Sequence, residues 1–210
     1  MSLALWVILT LIALLILVLI GVRVRSKASP SPVPIALAWV LDNPLRRRIF
    51  SPKRLLDSVG IREGMKVLEV GPGPGHFTVE AALRVGRGKL YCLDIQPRMI
   101  ARLKEKVSRH GLNNVHLIVG DATSLPFAPE SFDLAFLIYV IGEIPNREKA
   151  LLELARVLRP GGALSISEVV IDPDYTRKST IIALGRQAGF EPIKERGNFL
   201  AYTINFRRPA

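Results

Sequence analysis

Apolar and polar residues follow one another along this chain in two rhythms. Short, nearly unbroken apolar runs at residues 66–70, 89–94, 115–119, 132–138 and 163–170 read as strands buried on both faces. Segments with apolar residues at helical spacing stand between or after them, at residues 76–85, 97–110, 147–158 and 176–188. The last of these stops before Gly189, a residue suited to a helix C-terminus. Two further runs, 191–195 and 201–206, flank Arg196-Gly197-Asn198, and a tight hairpin there makes the final strand antiparallel to its neighbour. Ahead of the alternation, residues 43–50 and 51–59 predict two short helices. Ser51 is the expected N-cap of the second, with Pro52 in its first turn. The pattern predicts an α/β fold: a doubly wound, seven-stranded, mostly parallel sheet with an antiparallel last strand.

A different rhythm opens the chain. Residues 3–22 form one apolar stretch without a charge. At about 1.5 Å per residue, such a stretch spans about 30 Å of hydrocarbon. No basic residue precedes it, and Val22-Arg23-Val24-Arg25 follows where a small-residue cleavage site would stand. The expectation is an uncleaved transmembrane helix over residues 1–22, with a long buried core helix as the alternative. Arg23, Arg25 and Lys27 on its C-terminal side place the rest of the chain in the cytoplasm, as a single-pass membrane protein. Residues 23–42 then form a basic Pro/Ser linker and a short apolar segment, 35–41, too short to cross a membrane.

Charge sharpens this picture. The formal net charge is +11. Between Arg23 and Arg62 nine basic residues face only Asp42 and Asp57. A basic stretch beside a membrane span is drawn to anionic headgroups, so the lipid bilayer is the expected partner. Nucleic acid ranks below it, and a plainly solvated face is the third reading. The single cysteine, Cys92, falls in an apolar strand, where core packing is the expected role. His76, His110 and His116 share no metal-ligand spacing, and no metal site is expected.

The chemistry concentrates where the first strand ends. Val67-Leu68-Glu69-Val70-Gly71-Pro72-Gly73-Pro74-Gly75 runs from an apolar strand into a glycine-rich turn. Glycines there let a backbone turn sharply and approach a ligand closely. At the end of the next strand stands Asp94, whose carboxylate is suited to accept hydrogen bonds from both hydroxyls of a ribose. The acid at Glu69 speaks against a pyrophosphate, which it would repel, and for a ligand bearing an ammonium group. S-adenosylmethionine carries a sulfonium and an amino group and no phosphate. The same three glycines are also compatible with a tight strand–helix turn alone, and Asp94 with capping the helix that follows.

In these segments the chain resembles the class I S-adenosylmethionine-dependent methyltransferases, over roughly residues 43–206. Residues 67–75 are similar to the family's first motif and residues 90–95 to its second. Gly120-Asp121-Ala122 is similar to the segment whose Asp meets the adenine amino group, 131–136 to the fourth strand, and 151–164 to a helix, Pro-Gly-Gly turn and fifth strand. Within the family the chain looks most like the quinone-biosynthesis and phospholipid methyltransferases. The resemblance implies a Rossmann-like methyltransferase fold over residues 43–210 and S-adenosylmethionine as cofactor. It implies a cofactor site made of Glu69, Gly71, Gly73, Gly75, Asp94, Ile95, Asp121 and Ala122. Tyr139 and Glu143, beyond the fourth strand, are the candidates for catalysis, with Glu168 nearby. Many relatives carry His-Glu where this chain has Gly142-Glu143. Glu143 is suited to bind a cationic or hydroxylated acceptor, or to cap the following helix.

The short connection 171–175 leaves no room for a lid. A membrane tether then favours a lipophilic methyl acceptor: a phospholipid headgroup, a quinol, a thiol or a phenol. A soluble small-molecule acceptor, with the anchor serving only localisation, is the alternative, and a non-catalytic cofactor-binding membrane protein a third.

Overall fold

The computed structural model describes residues 51–210 together with residues 5–7, 9, 10, 14, 17, 21–25, 30–32 and 34. The expected helix at 43–50 and the apolar segment 35–41 lie outside the described residues, as does most of the 3–22 stretch. Its described residues, and 23–25 after them, are helical. Among the described residues no helix is long and apolar enough to cross a membrane.

The elements follow the expected alternation: α1 (Pro52–Val59), β1 (Lys66–Val70), α2 (Thr78–Val85), β2 (Lys89–Asp94), α3 (Pro97–Arg109), β3 (Val115–Val119), β4 (Phe132–Ile138), α4 (Arg147–Val157), β5 (Leu158–Val169), α5 (Lys178–Gln187), β6 (Glu191–Gly197) and β7 (Ala201–Arg207). They form one sheet in the order β3-β2-β1-β4-β5-β7-β6. β1 pairs in parallel with β2 and β4, and β4 with β5, while β7 runs antiparallel to both β5 and β6. The central strands are buried along nearly their whole length because helices cover both faces. Alternation along β1 divides the core: Val67 points to the layer of Leu56, Ala81, Val85 and Leu103, and Leu68 to the layer of Leu151, Leu154, Ile181 and Phe206.

Several boundaries differ from the pattern-based expectation, among them the start of α5 at Lys178 and not at residue 176. α2 begins at Thr78, not at residue 76, because residues 73–77 are taken up by the turn. β5 begins at Leu158, well before residue 163, even though Pro160-Gly161-Gly162 reads as a turn. The ladder survives there because Gly161 N–H donates to the Arg208 carbonyl and Arg208 N–H to the Gly162 carbonyl, while β4 takes up the misfit by a register shift between Phe132 and Leu134. The final hairpin turns through Asn198-Phe199-Leu200, with Gly197 closing β6 at φ 88°. Ser51 sits at the N-cap of α1, as expected, but its hydroxyl makes no capping bond.

Candidate functional site

The strand order reverses between β1 and β4: the chain goes outward from β1 to β2 on one side and from β4 to β5 on the other. Such a reversal opens a crevice beyond the carboxyl ends of the strands. A cavity lies there. Gly71 and Gly73 line it from the loop after β1, Asp94 and Ile95 from the end of β2, Asp121 and Ala122 from beyond β3, and Tyr139 and Glu143 from beyond β4. Four segments far apart in sequence thus meet at one place. Of the residues singled out from the sequence, Glu69 and Gly75 do not line it.

Asp94 organises the near wall. One carboxylate oxygen accepts from Gly73 N–H at 3.1 Å and the other from Gln96 N–H at 2.9 Å. The side chain is thereby fixed, and each oxygen keeps lone-pair capacity for a ligand hydroxyl. Burial raises its pKa, against the pull of the two backbone N–H groups. Ile95, 51% exposed, and the buried Ala122 offer apolar surface beside it, of the kind a flat heterocycle covers. Asp121 is held by a bond from Thr123 N–H to one carboxylate oxygen at 2.8 Å, which leaves the other free of that turn.

Glu69, expected beside a ligand ammonium, stands behind the residues that line the cavity. Its side chain is buried beneath the loop, where the Thr78 hydroxyl donates to Oε2 at 2.8 Å and the Cys92 thiol at 3.4 Å. The carboxylate therefore ties β1 and β2 to the first residue of α2. Burial raises its pKa to about 7, opposed by the Thr78 and Cys92 bonds and reinforced by the negative charge of Asp94. Cys92, buried as expected, has its own pKa raised by burial and by Glu69. Gly75 likewise serves the turn: its N–H donates to the Pro72 carbonyl, and its φ of 84° suits glycine.

The far wall carries strain. Tyr139 follows the last residue of β4 with φ 61°, the left-handed region that costs a side-chain-bearing residue roughly 1–2 kcal/mol. Its N–H is fixed to the Ser167 carbonyl at 2.9 Å, and its ring meets Phe77 edge-on at 6.1 Å. The strained step redirects the chain beyond β4, so that Val140 and, from the 3-10 turn Ile141–Glu143, Glu143 line the cavity. Glu143 is half-buried on that turn. Arg147 secures the turn from behind, donating to the carbonyls of Ile141 and Gly142. A Cβ on Gly142 would run into the backbone of Asp174, so this backbone has no room for a His beside Glu143. Glu168 is not part of the cavity lining. It is buried at the end of β5 and accepts from Thr176 N–H at 3.0 Å, and burial raises its pKa to about 8.

Several participants were not singled out from the sequence. Lys106 is buried under the loop, and its ammonium donates to the Gly75 carbonyl at 3.2 Å. A signal existed, since Met99, Leu103 and Lys106 share one face of α3 at i, i+4 and i+7, and a lysine on an apolar stripe asks for a partner. Val140 explains Gly71: a Cβ there would come within 2.6 Å of both Val140 methyls. Pro32 from the linker and Asp172 from the β5–α5 connection complete the mouth, and nothing local in the sequence points to either.

The donors and acceptors fit an adenine nucleoside with an attached amino acid. Asp94 has the acceptor capacity a ribose diol needs, and Asp121 with the apolar surface of Ile95 and Ala122 suits a heterocycle beside it. Among the described residues no group of three or more His, Cys, Asp or Glu could hold a metal ion.

Comparison with known proteins points the same way. A family described as a methyltransferase domain matches residues 61–194. Over 115 residues the chain is 35% identical to the ubiquinone/menaquinone biosynthesis C-methyltransferase of Idiomarina loihiensis, covering 54% of this chain and 46% of that protein. Over 111 residues it is 38% identical to the demethylmenaquinone methyltransferase of Staphylococcus aureus, covering 52% and 45%. The chain thus spans about half the length of the curated relatives it matches. Among solved structures, a SAM-dependent methyltransferase from Aquifex aeolicus superposes with a TM-score of 0.78 at 25% identity, over 84% of this chain and all of that one.

Proposed function

The chain belongs to the S-adenosylmethionine-dependent methyltransferases, and from that premise we propose that it is a membrane-anchored enzyme that methylates a lipophilic acceptor of the quinol or phenol class. The observation that carries the reading is the junction of two features. A cofactor cavity lies at the carboxyl end of the sheet, and the end of an apolar N-terminal segment is attached beside it, through Arg23, whose guanidinium donates to the Val170 carbonyl at 2.9 Å. The described apolar side chains of that segment, Leu5, Trp6, Val7, Leu9, Leu14, Leu17 and Val22, are all exposed to their surroundings. So much apolar surface suits hydrocarbon better than water. The relatives named for ubiquinone and menaquinone biosynthesis support an aromatic, lipid-soluble acceptor. Arg23, Arg25 and Lys27 support a single-pass arrangement with the catalytic domain in the cytoplasm.

When bound, S-adenosylmethionine supplies an activated methyl group with its own leaving group. The residues of this chain then align, shield and handle the proton. Asp94 and the Gly71–Gly73 loop hold the nucleoside, and Lys106 and Glu69 brace that loop from below. Tyr139, held in its strained turn, would shield the bound cofactor from water along the wall beyond β4. Glu143 takes the hydrogen bond, and at transfer the proton, of an acceptor hydroxyl; this proton is the one a phenolic acceptor loses as its new bond to the methyl carbon forms.

The test is methyl transfer from labelled S-adenosylmethionine into a total membrane lipid extract by the full-length protein, with Asp94→Ala as control. The expected result is label in an organic-phase aromatic product, absent in the control. Label in water-soluble product only would move the acceptor to a soluble small molecule, and cofactor binding without transfer to any acceptor would leave a non-catalytic protein.

A further inference from the structure

Beside the cavity, the domain holds apolar side chains out into solvent on a braced scaffold. Ile171, Phe199 and Leu200 are 69%, 75% and 47% exposed. They are neighbours, since Val170 N–H donates to the Leu200 carbonyl at 2.6 Å. The turn that carries Phe199 is tightly held. Asn198 Oδ1 accepts from Leu200 N–H at 2.8 Å and from Ala201 N–H at 3.3 Å, and the Tyr175 hydroxyl donates to the Phe199 carbonyl at 2.9 Å. A fixed backbone thus presents a large aromatic ring outward, which gains nothing from water. Cations fringe it: Arg23, Arg177 and Lys178 line the shallow hollow that Phe199 borders. Lys178 is paired with Glu195 at 2.7 Å, while Arg177 is exposed.

Two placements say what covers this patch. Arg23 is the first residue after the apolar 3–22 stretch, and its guanidinium lies 5.9 Å from the Tyr175 ring centre as well as on the Val170 carbonyl. The end of that stretch and the patch are therefore one side chain apart. The patch also shares the sheet's carboxyl end with the cavity, because Ala201 at the start of β7 pairs with Val169 at the end of β5, and Asp172, next to Ile171, lines the cavity.

We propose that Ile171, Phe199 and Leu200, fringed by Arg23, Arg177 and Lys178, form the surface on which the catalytic domain lies against a bilayer rich in anionic phospholipid, with the cavity mouth turned toward it. The proposal rests on the reading of residues 3–22 as a membrane anchor. It adds a second, peripheral contact that sets the domain's orientation. An apolar tip enters the interface while cations meet the lipid phosphates. A tether alone would let the mouth face any direction.

The test uses the full chain in phosphatidylcholine vesicles with and without phosphatidylglycerol. A Leu200→Cys variant carries an environment-sensitive fluorophore; Cys92 is fully buried and does not compete for the label. An Arg87→Cys variant carries the same label at the opposite end of the sheet, just before β2. On anionic vesicles the label at 200 is expected to shift to the blue and to be quenched by doxyl lipids, while the label at 87 is neither. Arg177→Gln should weaken this docked state roughly fivefold, the effect of one basic residue near a charged surface. Phe199→Asp should abolish it, with S-adenosylmethionine affinity unchanged in both. If the chain floats with the vesicles and binds the cofactor but the label at 200 stays water-like, the docking surface is overturned and the anchor stands. If the chain does not float, the anchor reading falls and this proposal with it. A blue shift without vesicles that grows with protein concentration would assign the patch to a second copy of the chain, against the proposal.

Discussion

At the scale of single residues, Asp94 has two tasks that one substitution separates from the rest of the fold. It fixes the glycine loop through Gly73 and offers its remaining lone pairs to a ligand diol. Hydrogen bonds to a charged group contribute about 1.5–3 kcal/mol each. Asp94→Ala should accordingly weaken S-adenosylmethionine binding roughly 100-fold or more by titration calorimetry; affinity within threefold of the parent would remove Asp94 from the site. Glu143 is expected to behave differently. Glu143→Gln should lower kcat by roughly 100-fold while leaving cofactor affinity intact, as the loss of a proton acceptor does, and a change confined to KM would make Glu143 a binding residue only. Gly142 yields a third expectation. Gly142→His, which recreates the His-Glu pair of many relatives, should lower the melting temperature and not raise activity, because any side chain there meets the Asp174 backbone. Much of this was legible in the sequence: the glycines, Asp94 and Asp121 advertise themselves by position after strands. Glu69 was legible as important but not in its role. Whether a carboxylate at a strand end faces the ligand or the strand behind it depends on strand phase and on Thr78 and Cys92, which become its neighbours only once the chain is folded.

At the scale of elements, the connection from β5 to α5 is built around a buried acid. Glu168 holds the N–H of Thr176, the Tyr202 hydroxyl donates to the Thr176 carbonyl, and burial lifts the Glu168 pKa to about 8 from the ordinary 4.5. Between those two values the folded chain keeps a proton that the unfolded chain has lost. Stability therefore falls as pH rises through this window and levels off above about pH 8. Within it, each pH unit costs up to about 1.4 kcal/mol for one such group. Glu69, raised to about 7, adds in the same direction over a narrower range. Glu168→Gln retains an acceptor for Thr176 and should flatten the decline by about one proton in urea titrations run from pH 5 to 9. An unchanged slope would mean that Glu168 ionises normally in the fold. The strands were legible because apolar runs in a two-faced sheet are nearly unbroken, and four of the seven matched residue for residue: β1, β2, β3 and β4. The start of β5 was not. Pro160-Gly161-Gly162 carries turn chemistry, and only pairing with Arg208, nearly fifty residues later, keeps it in the ladder.

At the scale of the whole molecule, the domain and its N-terminal segment are expected to separate cleanly in function. A variant lacking residues 3–22 should bind S-adenosylmethionine with unchanged affinity, since Asp94, Asp121 and the glycine loop all lie in the sheet domain. Its turnover of a bilayer-embedded acceptor should fall at least tenfold while turnover of a short-chain soluble analogue persists, because tethering acts through local concentration. Equal turnover on both would remove the membrane from the mechanism. The apolar run was evident from the sequence; that its first flanking arginine, Arg23, returns to the Val170 carbonyl was not, as such a contact leaves no local mark. The direction of the strands has a practical corollary. β7 starts at the cavity end of the sheet and runs away from it, so its last residue, Arg207, pairs with Ala163 midway along β5. An affinity tag or fluorescent protein joined after Ala210 would therefore emerge on the side of the sheet away from the cavity. The enzyme can be immobilised or imaged by that handle while its working end stays unencumbered.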